Sequence, residues 1–132
     1  MKHLFIAFLW IVFFLHSAVT AEELEIPTLT ALTGHASSFG TEELNSYTLA
    51  VEEWNARGGV QRVKLKVEDT QSSSVGTVSA LRHLMSSGAK VILGPTWADT
   101  FQGVIPIAVR AELLILTPSA EGRAIDQKLN SG

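Results

Sequence analysis

The chain has 132 residues, enough for one small domain, and thirteen acidic against ten basic side chains give it a net charge of −3. That balance offers no basic stripe of the kind a nucleic-acid surface requires. It contains no cysteine, which excludes a disulfide framework, a thiolate metal site and the lipid-carrying cysteine of a bacterial lipoprotein.

Residues 1–21, MKHLFIAFLWIVFFLHSAVTA, open on basic Lys2 and continue as an apolar run from Leu4 to Leu15. They close on Val19-Thr20-Ala21, with compact residues at the first and third positions before an expected cut. This is the pattern of a cleaved secretory signal. The apolar run is short for a spanning helix. The mature chain is expected to start at Glu22 without a stable membrane anchor. Two of the four histidines, His3 and His16, leave with the signal, and His35 and His83 are far apart in sequence. That spacing predicts no metal site.

Four short apolar runs then alternate with three amphipathic segments. Leu24–Leu32 reads as a first strand. A helix is expected after Gly40, with Thr41 as its cap and Glu42 and Glu43 at the positive end of its dipole. Leu44, Tyr47, Val51 and Trp54 recur at helical spacing, and Gly58-Gly59 stops the run. Val63–Asp69, VKLKVED, alternates apolar and charged residues with the period of a strand. A second helix is expected from Ser72–Ser74, carrying Val78, Leu81, Leu84 and Met85, and ending at Gly88. Lys90–Gly94 is a continuous apolar run, as expected of a strand buried on both faces. A third helix is expected over Ala98–Glu112, with Gly103 and Pro106 predicting an early bend or a late start. Leu113–Pro118 reads as a fourth strand.

The order β-α-β-α-β-α-β predicts an α/β fold, a doubly wound three-layer parallel sheet, and right-handed crossovers give the strand order 2-1-3-4. In such a sheet ligands sit beyond the carboxyl ends of the strands, at the switch point between strands 1 and 3. Three loops end there: Thr33–Gly40, Gly94–Asp99 and Thr117–Glu121.

Thr96-Trp97-Ala98-Asp99 fits a capping box with aspartate in place of glutamate. The same helix start would present backbone amides near Ala98 to a ligand oxygen. Trp97 serves either as a ligand wall or as packing against a neighbouring helix. Phe39, in a loop with His35, Ser37 and Ser38, either faces the pocket or belongs to an exposed turn. Ser119 and Glu121 follow the last strand, where the glutamate is either a ligand contact or solvated. No GxGxxG follows a strand, no GxxxxGK[ST] occurs and no GxSxG elbow exists, so nucleotide cofactors and an α/β-hydrolase site are not expected.

Taken in order, LTGHASSFG, AVEEWNARGGV, VKLKVEDTQSS, KVILGPTWADT and ILTPSAEG resemble the amino-terminal lobe of type I periplasmic binding proteins, in the Leu/Ile/Val-binding branch of transporter receptors. The resemblance covers Leu24 to about Gly122, and Asn55-Ala56-Arg57-Gly58-Gly59-Val60 is its most specific piece. It implies that residues 22–132 form part of the first of two lobes, the chain being a piece of a longer protein. It also implies a small-molecule ligand held without a cofactor or any bond-making, export to the periplasm, and docking on the permease of an ABC transporter. Sensory domains of the same fold and a secreted α/β enzyme are the alternatives.

The three loops are expected to supply the ligand contacts of this lobe from Phe39, Thr96, Trp97, Asp99, Ser119 and Glu121, with the backbone amides near Ala98. Two positions depart from the amino-acid binders of that branch. Ala98 stands where they carry a carboxylate-binding hydroxyl, and Glu121 stands where they carry a threonine. If Asp99 and Glu121 face the cleft, an amide, amine or aromatic compound is expected as ligand; if they do not, an amino acid or aromatic acid is.

Overall fold

The computed structural model describes residues 23–59 and 61–118. The expected signal segment, Ser119 and Glu121 lie outside the described residues. Four strands, β1 (Leu24–Thr30), β2 (Val63–Asp69), β3 (Val91–Leu93) and β4 (Leu114–Leu116), alternate with three helices, α1 (Ser37–Ala56), α2 (Ser74–Ser86) and α3 (Ala98–Ala111). The sheet is wholly parallel, in the order β2-β1-β3-β4, as the alternation predicts. β1 and β2 pair over their full length, from Leu24 opposite Val63 to Thr30 opposite Asp69.

The core lies between the sheet and α2 and α3. Leu29 and Ile92 from the strands meet Leu81, Leu84, Val104 and Phe101 from these helices. Leu29, Leu81, Leu84, Ile92 and Val104 are fully buried, each stabilising the fold by about 1.5–3 kcal/mol. The side chain of Thr30, next to Leu29 on β1, reaches the carbonyl of Gly40 on α1 at 3.0 Å. Successive side chains of a strand point to opposite faces. α1 therefore covers the face opposite α2 and α3, and the sheet is the middle of three layers.

Two helix starts depart from the sequence expectation. α1 begins at Ser37, not at Thr41, so Ser37, Ser38 and Phe39 are helical rather than loop residues. Gly40 is a contact residue and not a boundary: a Cβ there would lie 2.0 Å from the carbonyl oxygen of Ala31. Thr41, inside the helix, turns its hydroxyl back to the carbonyl of Ser37 at 2.8 Å. The N-cap of α3 is Trp97, and the hydroxyl of Thr96 bonds to other elements, so the expected capping box gives way to tertiary contacts. Pro106 does not delay α3, which runs continuously from Ala98. Phe101, Val104, Ile105 and Ala108 bury its inner face while Gln102 and Pro106 are exposed, so water can serve the carbonyl that the missing proline N–H leaves open.

The other boundaries follow local chemistry. Ser73 caps α2, its side chain accepting from the N–H of Gly76 at 3.0 Å. Gly58 and Gly88 take positive φ just past α1 and α2, where an L side chain would be strained. Asn55 fastens the end of α1 to β2, bonding the carbonyl and the N–H of Val63 at 2.8 and 2.9 Å. The expected apolar stripe of α1 is only partly covered: Leu44, Tyr47 and Val51 are half-buried and Trp54 is exposed. Among the described residues no helix is long and apolar enough to cross a membrane, and no group of three acidic or histidine side chains is placed to hold a metal ion.

Candidate functional site

β1 is the central strand from which the chain steps outward first to β2 and then to β3. A cleft of about 570 Å3 opens where the carboxyl ends of β1 and β3 part. The first half of α1 forms one wall, with Phe39, Glu42, Glu43 and Ser46. The β3–α3 connection forms the other, with Thr96, Trp97, Ala98 and Asp99. Five of the seven candidate residues thus meet in one cleft: Phe39, Thr96, Trp97, Ala98 and Asp99. Ser119 and Glu121 lie outside the described residues.

The aromatic side of the cleft is built by packing across the two walls. The ring centroids of Phe39 and Trp97 are 5.5 Å apart with a tilt of 51°, and His35 meets Trp97 edge-on at 6.1 Å. Such offset and edge contacts are favourable beyond the area they bury. They hold the indole partly exposed, available to a ligand on the cleft side.

The polar side is a network anchored on Glu43. The hydroxyl of Thr96 donates to the Glu43 carboxylate, lies 3.1 Å from the Thr30 hydroxyl and accepts the N–H of Ala31 at 3.1 Å. The phenol of Tyr47 donates to the other Glu43 oxygen at 2.9 Å. Burial, followed by the hydrogen bond to that carboxylate and its charge, pushes the Tyr47 phenol well above its ordinary range, so it stays a donor. The network ties α1, the end of β1 and the β3–α3 connection together, which fixes the walls relative to each other.

From sequence, Glu42 and Glu43 are expected only at the positive end of the helix dipole, and no motif marks Ser46. With α1 starting at Ser37, Phe39, Glu42, Glu43 and Ser46 fall at helical spacings on one face. A start signal at Ser37 would have exposed that stripe, but Ala36, the N-cap, makes no side-chain cap, so no local motif marks it.

The β1–α1 loop, expected as a possible plain turn, is held by the end of β2. Asp69 accepts the hydroxyl of Thr33 at 2.7 Å and the N–H groups of Gln71, Leu32 and Thr33 at 2.8, 2.9 and 3.2 Å. The hydroxyl of Ser72 donates to the carbonyl of Thr33 at 2.6 Å and accepts the N–H of Ala36 at 3.0 Å. Burial raises the Asp69 pKa, but the accepted bonds, the Thr33 hydroxyl foremost, outweigh it and hold the carboxyl below its usual value. A depressed folded-state pKa stabilises above the unfolded value of about 3.9 and is lost as pH falls through the lower folded value. Asp69→Asn is therefore expected to cost about 1–2 kcal/mol near neutral pH, solvent at the loop discounting the full value of four charged bonds. The difference in melting temperature from the parent chain should shrink below about pH 4. Thermal unfolding followed by circular dichroism at both pH values checks this, and a difference constant with pH would show that the carboxylate charge has no part.

The fold and cleft are those of a doubly wound α/β lobe open at its switch point. A model of the periplasmic binding protein family matches residues 23–130, and the chain belongs to that family. It is 26% identical over 100 residues to the Leu/Ile/Val-binding protein BraC3 of Rhizobium johnstonii, across 74% of this chain and 27% of that protein. It is 24% identical over 102 residues to the Leu/Ile/Val-binding protein of Escherichia coli K12, across 76% of this chain and 28% of that protein. Among solved structures it resembles the branched-chain amino acid transporter substrate-binding protein LivJ from Streptococcus pneumoniae, in complex with isoleucine. The TM-score is 0.72 at 22% identity, over 81% of this chain and 32% of that one. A solute-binding protein from Rhodopseudomonas palustris BisB5, in complex with 3,4-dihydroxybenzoic acid, superposes with a TM-score of 0.69 at 16% identity, over 80% and 30% of the two chains. The chain spans less than a third of the length of these relatives.

Proposed function

We propose that this chain is part of the amino-terminal ligand-binding lobe of a solute receptor for an ABC transporter. The carrying observation is the cleft at the switch point, where Phe39 and Trp97 present an apolar wall beside the first turn of α3. The family membership and the Leu/Ile/Val-binding relatives support the reading. Residues 1–21 direct export to the periplasm and residues 22–132 contribute one side of the binding cleft. Phe39, Thr96, Trp97, Ala98 and Asp99 form that side, with Ser119 and Glu121 proposed to join it. Capture of a small amino-acid-like, amide or aromatic solute is followed by closure of a second lobe and docking on membrane permease subunits. The receptor holds its ligand and catalyses nothing.

Amide chemical-shift mapping tests this on the isotope-labelled chain. Millimolar leucine, aromatic acids, amides and amines are added singly. A responding solute is expected to move the signals of Phe39 and Trp97–Asp99, with half-saturation at millimolar concentration because one lobe leaves the ligand open to water. A panel that moves no signal in the cleft, or moves only signals far from it, refutes the reading.

A further inference from the structure

The proposed receptor role leaves the charge of the solute open, and the cleft carries information on it. Three carboxylates, Glu42, Glu43 and Asp99, line it, and no basic side chain does among the described residues. The opposing positive feature is the amino-terminal end of α3, equivalent to about half an elementary charge. Asp99 sits in the first turn of that helix and compensates it. Even with Asp99 assigned wholly to the helix, the exposed carboxylate of Glu42 adds negative charge on the α1 wall.

The aromatic wall favours the same sign of charge. The faces of Trp97 and Phe39 carry the negative lobes of their ring quadrupoles, which attract a cation and repel an anion. Their packing at 5.5 Å with a 51° tilt places two rings at an angle beside the carboxylates of the α1 wall. Recognition of ammonium groups by angled aromatic rings with acids nearby uses both forces at once. The Thr96 hydroxyl already donates to Glu43, so an anion would be left to the amides at the start of α3, beside the Asp99 carboxylate.

Resting on the receptor reading, we infer that the cleft takes an organic cation: a protonated amine or quaternary ammonium carried on a ring or short apolar skeleton. The ammonium lies toward Glu42 and the apolar body lies against Trp97 and Phe39.

A matched series tests the inference on the whole chain: tyramine, 4-hydroxyphenylacetamide and 4-hydroxyphenylacetate share one ring and differ in charge, with leucine as the zwitterionic comparison. Amide shift titrations at low salt are expected to give tyramine at least about tenfold tighter binding than the acid, with the amide between them. Glu42→Gln combined with Asp99→Asn, both at exposed positions, should weaken tyramine about threefold to tenfold and the amide by clearly less. Raising ionic strength from about 10 to 150 mM should narrow the tyramine preference. Equal or tighter binding of the acid or of leucine overturns the inference while leaving the receptor role standing. So does a tyramine affinity indifferent to the double substitution. No response in the cleft to any of the four overturns both.

Discussion

Gly40→Ala is expected to lower the melting temperature by roughly 10–20 °C, although alanine is the better helix former by about 1 kcal/mol. Gly40 lies inside α1, where propensity alone predicts stabilisation. The added Cβ would stand 2.0 Å from the Ala31 carbonyl oxygen and 2.6 Å from its carbon. Both are backbone atoms of the strand end, so relief requires α1 to move off the sheet. That movement would also pull Glu43 away from Thr96 and open the cleft. Overpacking of this kind costs about 1–3 kcal/mol and more when backbone must shift, so the clash exceeds the propensity gain. Gly94→Ala should be worse, because a φ of +95° adds backbone strain to a Cβ 1.9 Å from the Leu29 carbonyl oxygen; an unfolded chain is expected. Gly103→Ala is the control. It is also helical, but its Cβ would meet the Ser74 side chain at 3.4 Å and Val78 at 3.8 Å, ordinary van der Waals contacts, so a gain of about 0.5–1 kcal/mol should appear. Thermal unfolding of the three variants decides the matter. A Gly40→Ala chain as stable as the parent would show that α1 does not rest this closely on β1.

Trp97→Ala should weaken whichever solute the cleft binds by at least about tenfold, as truncation of a central aromatic anchor does. Trp97 contacts both Phe39 and His35, so its removal takes away the wall and loosens the two rings packed on it. Trp97→Phe keeps a flat ring and should retain most of the affinity. Trp54 provides the comparison: it is 49% exposed near the end of α1 and donates to the Gln61 carbonyl at 3.1 Å, away from the cleft. Trp54→Ala should leave affinity unchanged. Titrations followed by amide shifts report both, and an equal loss in Trp54→Ala and Trp97→Ala would trace the effect to global destabilisation rather than to the wall.

The surroundings of these two residues show which features were readable in advance. Strand β2 was legible in VKLKVED because period-two alternation is a local property of a half-buried strand. Helix α2 was legible through the serines at 72–74, where Ser73 caps it, and its Gly88 stop, both within a few residues of the boundary. The parallel order 2-1-3-4 followed from the alternation of elements and the handedness of crossovers, and with it the location of the switch point. Phe39, Thr96, Trp97, Ala98 and Asp99 could be placed near that point for the same reason.

The sequence by itself determined the succession of elements, the layer architecture and the edge of the sheet where a cleft must open, because each depends on patterns within one segment or on general chirality. The tertiary structure alone decided how the cleft is furnished. A glycine can end a helix or admit a neighbouring backbone, and at Gly40 only the approach of Ala31 selects the second. A threonine ahead of a helix can cap it or bond elsewhere, and Thr96 bonds to Thr30, Ala31 and Glu43, all distant in sequence. Glu42 and Glu43 likewise suit a helix start in sequence terms and became cleft residues once α1 began at Ser37. In each case two local outcomes lie within about 1–2 kcal/mol of each other, and contacts between distant segments are large enough to choose between them.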